Sequence, residues 1–575
     1  MKSTKNSYTV LGINHGGHDT SAALMIDGQL VAACEQERYT LDKHSRRFPT
    51  EALLDCLKQA GIELNKIDEL AYAFQPNYHI REAYLRPALE DDPSLGRLVS
   101  DIDKIRENFL VETEIREKLK FSGKVEFYPH HECHLASSWY PSGYDQALVV
   151  SYDGLGEIET GLFAVGEGSS IKVVHKSNRY PDSLGLLYSA VTHFLGWKHH
   201  CDEGIVMGLA CYGDPDELVL DHDRSYLDVF REIIPDLGSL DYRINRDWIS
   251  YHEVRDKWIS DLFVSVFGER REYDGLITQH HKNIAAALQR RLEEIVLAQL
   301  ERARKLYAKP KLCLSGGVAL NCSLNGKIEQ SKLFDEIFVQ PASGDSGVAL
   351  GACYMASKKR EPDMQPVQMH NFYLGSRFDS CEIVEDFMEA GLSPCEAADL
   401  PNLIAKKLHA GKIIGWFQGG AEFGPRALGN RSILTRPVPG DMKDYLNARV
   451  KFREEFRPFA PAILAEYYRE YFEIGQLSPH MLIACEATEK GRKEIPATVH
   501  VDNSCRVQTV TAESNPAFYN LLKAFHDESG CPVLLNTSFN VKGQPIVNTP
   551  KQAIDCFLNT NIDYLVIGKY FKISP

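Results

Sequence analysis

The densest chemistry in the chain is the run Pro129-His130-His131-Glu132-Cys133-His134. On a helix, His130 and His134 lie four apart and share a face. Two imidazoles so spaced can ligate one divalent ion, with a carboxylate from elsewhere completing the site. Two carboxylates are placed for that role: Asp153, after the strand-like Leu148-Val149-Val150-Ser151-Tyr152, and Asp345, in Ser343-Gly344-Asp345-Ser346-Gly347. Beside a glycine, little side chain screens such a carboxylate from a ligand. The same histidine spacing also serves surface or helix-capping residues, so residue types alone leave both readings open.

A second group is cationic. Lys451-Phe452-Arg453 predicts two cations on one side of a strand, and Ser538-Phe539-Asn540 two short polar groups in the same way, from the period of two. Arg426, Arg431, Arg457 and Arg506 add fixed charge. In a net-acidic protein such a gathering points to a phosphate site, because the planar guanidinium fork binds oxygen pairs. The competing reading is a solvated face paired with Glu454 and Glu455. A third feature, Ser315-Gly316-Gly317 after the apolar run from Lys311, offers free backbone amides at the start of a helix expected from Val318. That makes an anion cradle, with Asn321 one turn in and able to bond ribose or base.

These groups need strands and loops to present them. Tyr8 to Ile13 reads as a strand, Asn14 to Asp19 as a polar loop, and Ser21 to Ile26 and Leu30 to Cys34 as a hairpin turning at Asp27-Gly28. The pattern recurs at Ala147 to Asp153, Gly154-Leu155-Gly156, Thr160 to Val165 and Ile171 to Val174, which predicts a duplicated α/β architecture. Asn283 to Leu306 is an amphipathic helix pattern. The charged, proline-bearing stretch at 358–363 reads as a linker, so the expected domains are 1–364 and 365–575.

With 575 residues the chain exceeds a single core. Hydrophobic residues at 44% and charged residues at 25% describe an ordinary globular protein. No apolar run approaches the ~20 residues of a membrane helix, and the N-terminus lacks a signal-peptide pattern. The expectation is a cytoplasmic protein with no membrane partner. Fourteen cysteines without a CxxC pair read as reduced, mostly buried thiols. The net charge of −15 argues against gripping a nucleic-acid backbone and suits a small acceptor, a cationic one included.

Taken in order and spacing, HHECHLASS, DGLGE nineteen residues after His134, SGGVALNCSLNGKI and GDSGVALGA resemble the O-carbamoyltransferases of the NodU/CmcH type. The resemblance runs from residue 8 to about 570. It implies an N-terminal domain similar to TsaD, of the duplicated actin-like ATPase (ASKHA) fold, followed by a YrdC-like α/β domain. It implies metal ligands His130, His134, Asp153 and Asp345, with iron, as Fe2+, the family metal; the residue types admit zinc or manganese equally. It implies nucleotide contacts at Ser315, Gly316, Gly317 and Asn321. PDSLGLLYSAVTHFLGWKHHCDEGIVMGLACYG matches a further family segment, which places Glu203 and Gly204 near the nucleotide; Ile205 stands where lysine is common.

GINHGGHDTSAAL resembles the family's HD[ST]xA motif, which makes His18 the catalytic base for an acceptor hydroxyl, with His15 the competitor. Lys43 and His44 also match a family motif, without an assigned role. In the C-terminal domain the resemblance implies that Arg426, Lys451, Arg453, Arg457, Arg506, Ser538 and Asn540 bind carbamoyl phosphate. There, ATP with Mg2+ converts it to carbamoyl adenylate. Gly420 stands where relatives carry a long basic residue, a change expected to act on passage between sites.

The expected activity is carbamoyl transfer to a hydroxyl of a small natural product, with the oligomeric state open. A hydrogenase-maturation carbamoyltransferase would add CxxC zinc fingers and an acylphosphatase domain, neither of which is visible. A tRNA threonylcarbamoyl-transfer protein would show basic surface, and a non-catalytic nucleotide-binding module would not need the cation cluster beside a full ligand set.

Overall fold

A computed structural model describes residues 7–254, 256–451, 454 and 456–574. It divides into two compact units. The first takes the chain through Gln36, His44–Asn321 and Ser331–Gln368; the second takes Glu37–Lys43, Cys322–Gln330 and Met369 onward. The main division thus lies at Gln368–Met369, and two short segments that precede it in the chain group with the second unit.

The first unit holds two five-stranded sheets. One is built from β1 (Thr9–Asn14), β2 (Ser21–Ile26), β3 (Gln29–Glu35), β4 (Glu69–Tyr72) and β5 (Lys124–Phe127) in the order β3-β2-β1-β4-β5. The other is built from β6 (Gln146–Tyr152), β7 (Gly161–Glu167), β8 (Ser170–Lys176), β9 (Lys311–Ser315) and β10 (Glu336–Val339) in the order β8-β7-β6-β9-β10. In both, the first three strands pair antiparallel as a meander and the first, fourth and fifth run parallel. The unit is therefore duplicated in topology as well as in pattern, the actin-like arrangement expected. The Asp27-Gly28 turn has both residues left-handed, φ 49° and 75°, the backbone that matches the twist of a two-residue hairpin.

In each half the last strand leads into a buried helix: His130–Trp139 after β5, and Val348–Arg360 after β10. These two helices pack on one another. A Cβ on Gly351 would overlap the carbonyl oxygen of Cys133, and one on Gly12 of β1 would overlap that of Ala349. Glycine at these positions sets how closely the two halves meet. Gln279–Tyr307 is a single long helix, slightly longer than its periodic pattern.

Two expectations fail locally. No continuous helix starts at Val318: a 3-10 turn, Gly317–Leu320, is followed by extended Asn321 (φ −75°, ψ 92°) and only then by the helix Cys322–Gln330. Lys451 is not on a strand; it closes a helical turn, Asn447–Lys451, continuing Met442–Leu446. The bulk of the buried Leu446 and Val450, four apart, faces the core in a helical period that the charged flanks obscure. Phe452, Arg453 and Glu455 lie outside the described residues.

The second unit is built on a mixed eight-stranded sheet. Its strands are β11 (Cys395–Glu396), β12 (Ile414–Phe417), β13 (Arg431–Thr435), β14 (Ala460–Leu464), β18 (Gln508–Val510), β19 (Val533–Ser538), β20 (Tyr564–Ile567) and β21 (Tyr570–Ile573). Their order is β11-β21-β20-β12-β13-β19-β14-β18. A small sheet of β15 (Phe472–Glu473), β16 (Ala484–Ala487) and β17 (Ser504–Arg506) accompanies it. Period-two alternation feeds two cores, as β12 shows. Ile414 and Trp416 pack with Leu408, Leu521 and Phe525 on one face, while Phe417 packs with Phe387, Ile554 and Phe557 on the other. Among the described residues, no helix is long and apolar enough to cross a membrane.

Candidate metal centre and the sites around it

His130 and His134 stand on successive turns of their helix, with ring centroids 4.7 Å apart. Asp153 follows β6, and Asp345 opens the turn Asp345–Gly347 just before the helix Val348–Arg360. Asp153 Oδ2 lies 3.4 Å from His130 Nε2 and 3.6 Å from His134 Nε2. Asp345 Oδ1 lies 3.5 and 3.7 Å from the same two nitrogens. The four donor atoms all fall within 4.8 Å of one another. An ion about 2.0–2.2 Å from each donor requires spacings of this order. His134 is fully buried, and neither of its ring nitrogens has a hydrogen-bond partner. A buried polar ring left so is costly, and two neutral imidazoles with two carboxylates are a donor set for a divalent ion. The residues therefore fit a metal.

Neighbouring groups fix the donors. Asp153 divides its oxygens: Oδ1 accepts the Gly317 amide at 2.7 Å, leaving Oδ2 to face the histidines. Glu157 accepts the His130 amide (3.0 Å) and the Gln75 amide (2.8 Å) on the same oxygen, so it caps the histidine-bearing helix. Sequence reasoning gave Glu157 no role, although its place in DGLGE marked it. His131, between the two ligand candidates, spends Nδ1 on Ser151 Oγ and Nε2 on the Glu159 carbonyl, both at 2.9 Å. Burial and the charge of His130 push its pKa down to about 3, which keeps it a neutral structural residue. For His130, burial pulls downward, but Asp345 and Asp153 together raise it to about 9. Asp153 is held well below the usual carboxylate range: burial opposes this, and the two histidines overcome it.

The Ser315-Gly316-Gly317 turn differs from a simple cradle of free amides. Ser315 is fully buried, a Cβ on Gly316 (φ 86°) would overlap the Tyr152 carbonyl, and the Gly317 amide is given to Asp153. The turn thus holds Asp153, a candidate metal ligand, directly. Asn321 pairs its amide reciprocally with Gln289 at 2.8 and 3.1 Å, and Gln289 also accepts from Tyr188. Gly204 lies in the first turn of the helix Glu203–Ala210, with open space where a Cβ would go. Ile205 is buried, so the departure from lysine there fills a core position rather than a rim.

His18 sits in the loop after β1. Its Nδ1 lies 2.9 Å from Asp19 Oδ2, and its ring stacks on His200 at 5.5 Å. Burial pulls its pKa down, but the charges of Asp345 and Asp19 raise it to about 9. His15, the alternative, turns elsewhere: its Nε2 is 3.4 Å from Glu114 and its ring meets the edge of Phe48.

In the second unit the predicted cations separate into two sets and a structural residue. Lys451, almost wholly buried, donates its ammonium to Ser538 O (2.7 Å), Ser538 Oγ (3.1 Å), Asn540 O (3.0 Å) and Asn540 Oδ1 (2.5 Å). Ser538 and Asn540 do share a side, with Ser538 Oγ 2.8 Å from Asn540 Oδ1. Arg426 is surrounded by positive charge: burial first, then Arg506 and Arg457, lower its pKa to about 9. The Nε atoms of Arg426 and Arg506 are buried without a hydrogen-bond partner. Arg457 also faces Glu454, its Nη1 3.6 Å from Glu454 Oε2, so the unspent Nε donors belong to Arg426 and Arg506, a pair whose chemistry suits an anion. Arg431 does not belong to it. It is fully buried, donates to the carbonyls of Gln418, Gly419, Asn430 and Ser376, and lies 3.5 Å over the Phe417 ring. At Gly420 a Cβ would meet the Tyr373 carbonyl at 2.6 Å, so the backbone there excludes a long side chain.

Comparison with known proteins places both units. Residues 9–354 match the family described as Carbamoyltransferase N-terminus, and residues 405–573 match Carbamoyltransferase C-terminus. An uncharacterized protein of Synechocystis is 37% identical, covering 98% of this chain and 96% of its own. Nodulation protein NolNO of Sinorhizobium fredii is 38% identical over 96% of this chain and 78% of its own length. Nodulation protein NolO of Bradyrhizobium diazoefficiens is 39% identical over 77% and 78% respectively.

Proposed function

The chain belongs to the carbamoyltransferase family, and from that premise we propose an ATP-dependent O-carbamoyltransferase whose second unit activates carbamoyl phosphate and whose first unit delivers the carbamoyl group to a hydroxyl. The observation that carries this reading is the cluster of four donors, buried His130, His134 and Asp153 with partly buried Asp345, in a chain that matches both halves of the family.

In the second unit, Arg426, Arg457 and Arg506 hold the phosphate of carbamoyl phosphate, with Lys451, Ser538 and Asn540 ordering the adjoining strand end. Arg453 joins this set by family pattern alone. Water releases carbamate and inorganic phosphate. A carbamate oxygen then attacks the α-phosphorus of ATP, whose phosphates carry Mg2+, and expels pyrophosphate to leave carbamoyl adenylate. Enclosure protects this mixed anhydride from hydrolysis.

In the first unit Gly204 and Asn321 contact the nucleotide, while the Ser315–Gly317 turn holds Asp153 through the Gly317 amide. The acceptor oxygen attacks the carbamoyl carbon, its proton passes to His18 Nε2, and AMP leaves with the bonding pair. A divalent ion at the four donors, ferrous iron foremost, supplies Lewis acidity to the carbamoyl oxygen or the departing phosphate when bound. The acceptor is a small hydroxylated natural product rather than nucleic acid, a reading supported by the net charge of −15. The protein works in the cytoplasm, where ATP and carbamoyl phosphate are made.

The test is to incubate metal-loaded protein with carbamoyl phosphate, ATP and Mg2+, alone and with a panel of hydroxylated small molecules. Carbamoyl-phosphate-dependent formation of AMP and pyrophosphate, and an acceptor mass gain of one carbamoyl group, are expected. AMP formation that ignores carbamoyl phosphate would overturn the proposal.

A further inference from the structure

We propose that Asp19 and His44 are positioning residues that orient the His18 ring, a role that rests on His18 being the base assigned above. The juxtaposition is a chain of three side chains. His44 Nδ1 lies 2.6 Å from Asp19 Oδ1, and His18 Nδ1 lies 2.9 Å from Asp19 Oδ2. An ionised carboxylate only accepts, so both imidazoles carry their proton on Nδ1. In the neutral form of His18, populated as pH rises through its raised pKa, that leaves Nε2 bare and available to the acceptor proton.

The backbone around this chain is bent to make it. Asp19 and His44 both have φ 56°, and His200, whose ring lies on His18, has φ 55°. Left-handed geometry is disfavoured for residues with a side chain, and persists only where surrounding contacts over-determine it. Those contacts are present. Asn14 Nδ2 donates to the His18 and Asp19 carbonyls at 3.3 and 3.0 Å. Thr20 ties the two loops together, its amide to Ser45 O (3.2 Å) and its hydroxyl to Arg47 O (2.8 Å). The His200 amide donates to Glu203 Oε1 at 2.6 Å, and Ser189 Oγ donates to the same oxygen at 2.5 Å. Cys201, the next residue, lies beside His44. One short loop thus closes both ends of the chain, with His200 on the base and Cys201 on the far histidine.

In the transfer step the acceptor O–H proton goes to His18 Nε2 as the new O–C bond forms and the bond to AMP breaks. The imidazolium that results is paired with Asp19, which stays ionised, and His44 keeps that carboxylate from rotating away. Asp19 and His44 touch no substrate in this scheme; they act through the His18 ring.

The test reads the ring directly and needs no acceptor. Full-length protein with 15N-labelled histidine rings is loaded with Zn2+, and the His18 signals are identified by their loss in His18→Asn. Titrated to its neutral form, the wild-type His18 ring should show Nδ1 protonated and Nε2 bare. Asp19→Asn should move the proton, shifting the Nε2 resonance into the protonated range, and His44→Gln should give a mixture. Zinc content and carbamoyl-phosphate-dependent pyrophosphate exchange serve as folding controls. If Asp19→Asn does not fold, His44→Gln decides on the same spectrum. An unchanged Nδ1–H tautomer in the folded variants would overturn the positioning role while leaving His18 as base untouched. A Nδ1–H ring in wild type together with full transfer by His18→Asn would instead remove the base reading.

Discussion

The two halves of the first unit share a strand order yet divide the chemistry unequally. Each half offers two equivalent positions: the loop after its first strand and the start of the helix after its last. The candidate metal centre draws on three of these four positions. The helix after β5 gives His130 and His134, the turn before the helix after β10 gives Asp345, and the loop after β6 gives Asp153. The fourth, the loop after β1, carries His18 and Asp19. Duplication supplied two copies of one frame, and one loop stays outside the donor cluster, where the proposed base His18 sits. A residue's place in the repeat therefore does not fix its task; the side chain put there does.

That division can be broken in order of expected effect. His130→Ala or Asp345→Ala should abolish metal binding and carbamoyl transfer together, measured by bound-metal analysis and product mass. Full transfer by a metal-free variant would show that the three positions do not work as one centre. Arg457→Ala should stop carbamoyl adenylate formation in the second unit yet still transfer when carbamoyl adenylate is supplied. Failure of rescue in a folded, metal-loaded variant would refute separate sites.

The fourth position should respond differently. His18→Asn should slow transfer by ~10²–10⁴-fold with metal content and carbamoyl-phosphate-dependent pyrophosphate exchange retained, and His15→Ala should be close to wild type. If the two variants exchanged phenotypes, the base would sit three residues earlier. Glu157→Gln should be milder, weakening metal affinity by about tenfold through the helix cap rather than through a ligand; titration with a competing chelator reads this. A loss as complete as that of Asp345→Ala would make Glu157 a ligand.

Much of this was legible beforehand. The hairpin pairs were visible because alternation and Asp27-Gly28 are local signals; spacing made His130, His134, Asp153 and Asp345 candidates, and only the family resemblance joined them into one set. What stayed hidden depends on contacts distant in sequence. Gly317 looks like a free amide until Asp153, far back in the chain, is found accepting from it. Lys451 reads as a strand residue beside aromatic and charged neighbours, yet its ammonium is claimed by four oxygens of Ser538 and Asn540. Arg431 is indistinguishable by type from Arg426, and only burial among backbone carbonyls separates its structural guanidinium from one set beside other cations. The grouping of Glu37–Lys43 and Cys322–Gln330 with the second unit leaves no compositional trace.

Gly351 bears on how such a centre could be moved to another protein. Since its missing side chain lets the Cys133 carbonyl approach, the two helices that deliver histidines and aspartate cannot be spaced as ordinary helices are. Grafting the four ligands onto a standard helical pair would leave Asp345 out of reach of His130 and His134. The smallest transferable piece is thus the ligands with their glycine seam, the Gly317 amide and the Glu157 cap. A scaffold search restricted to ligand coordinates would pass over that requirement.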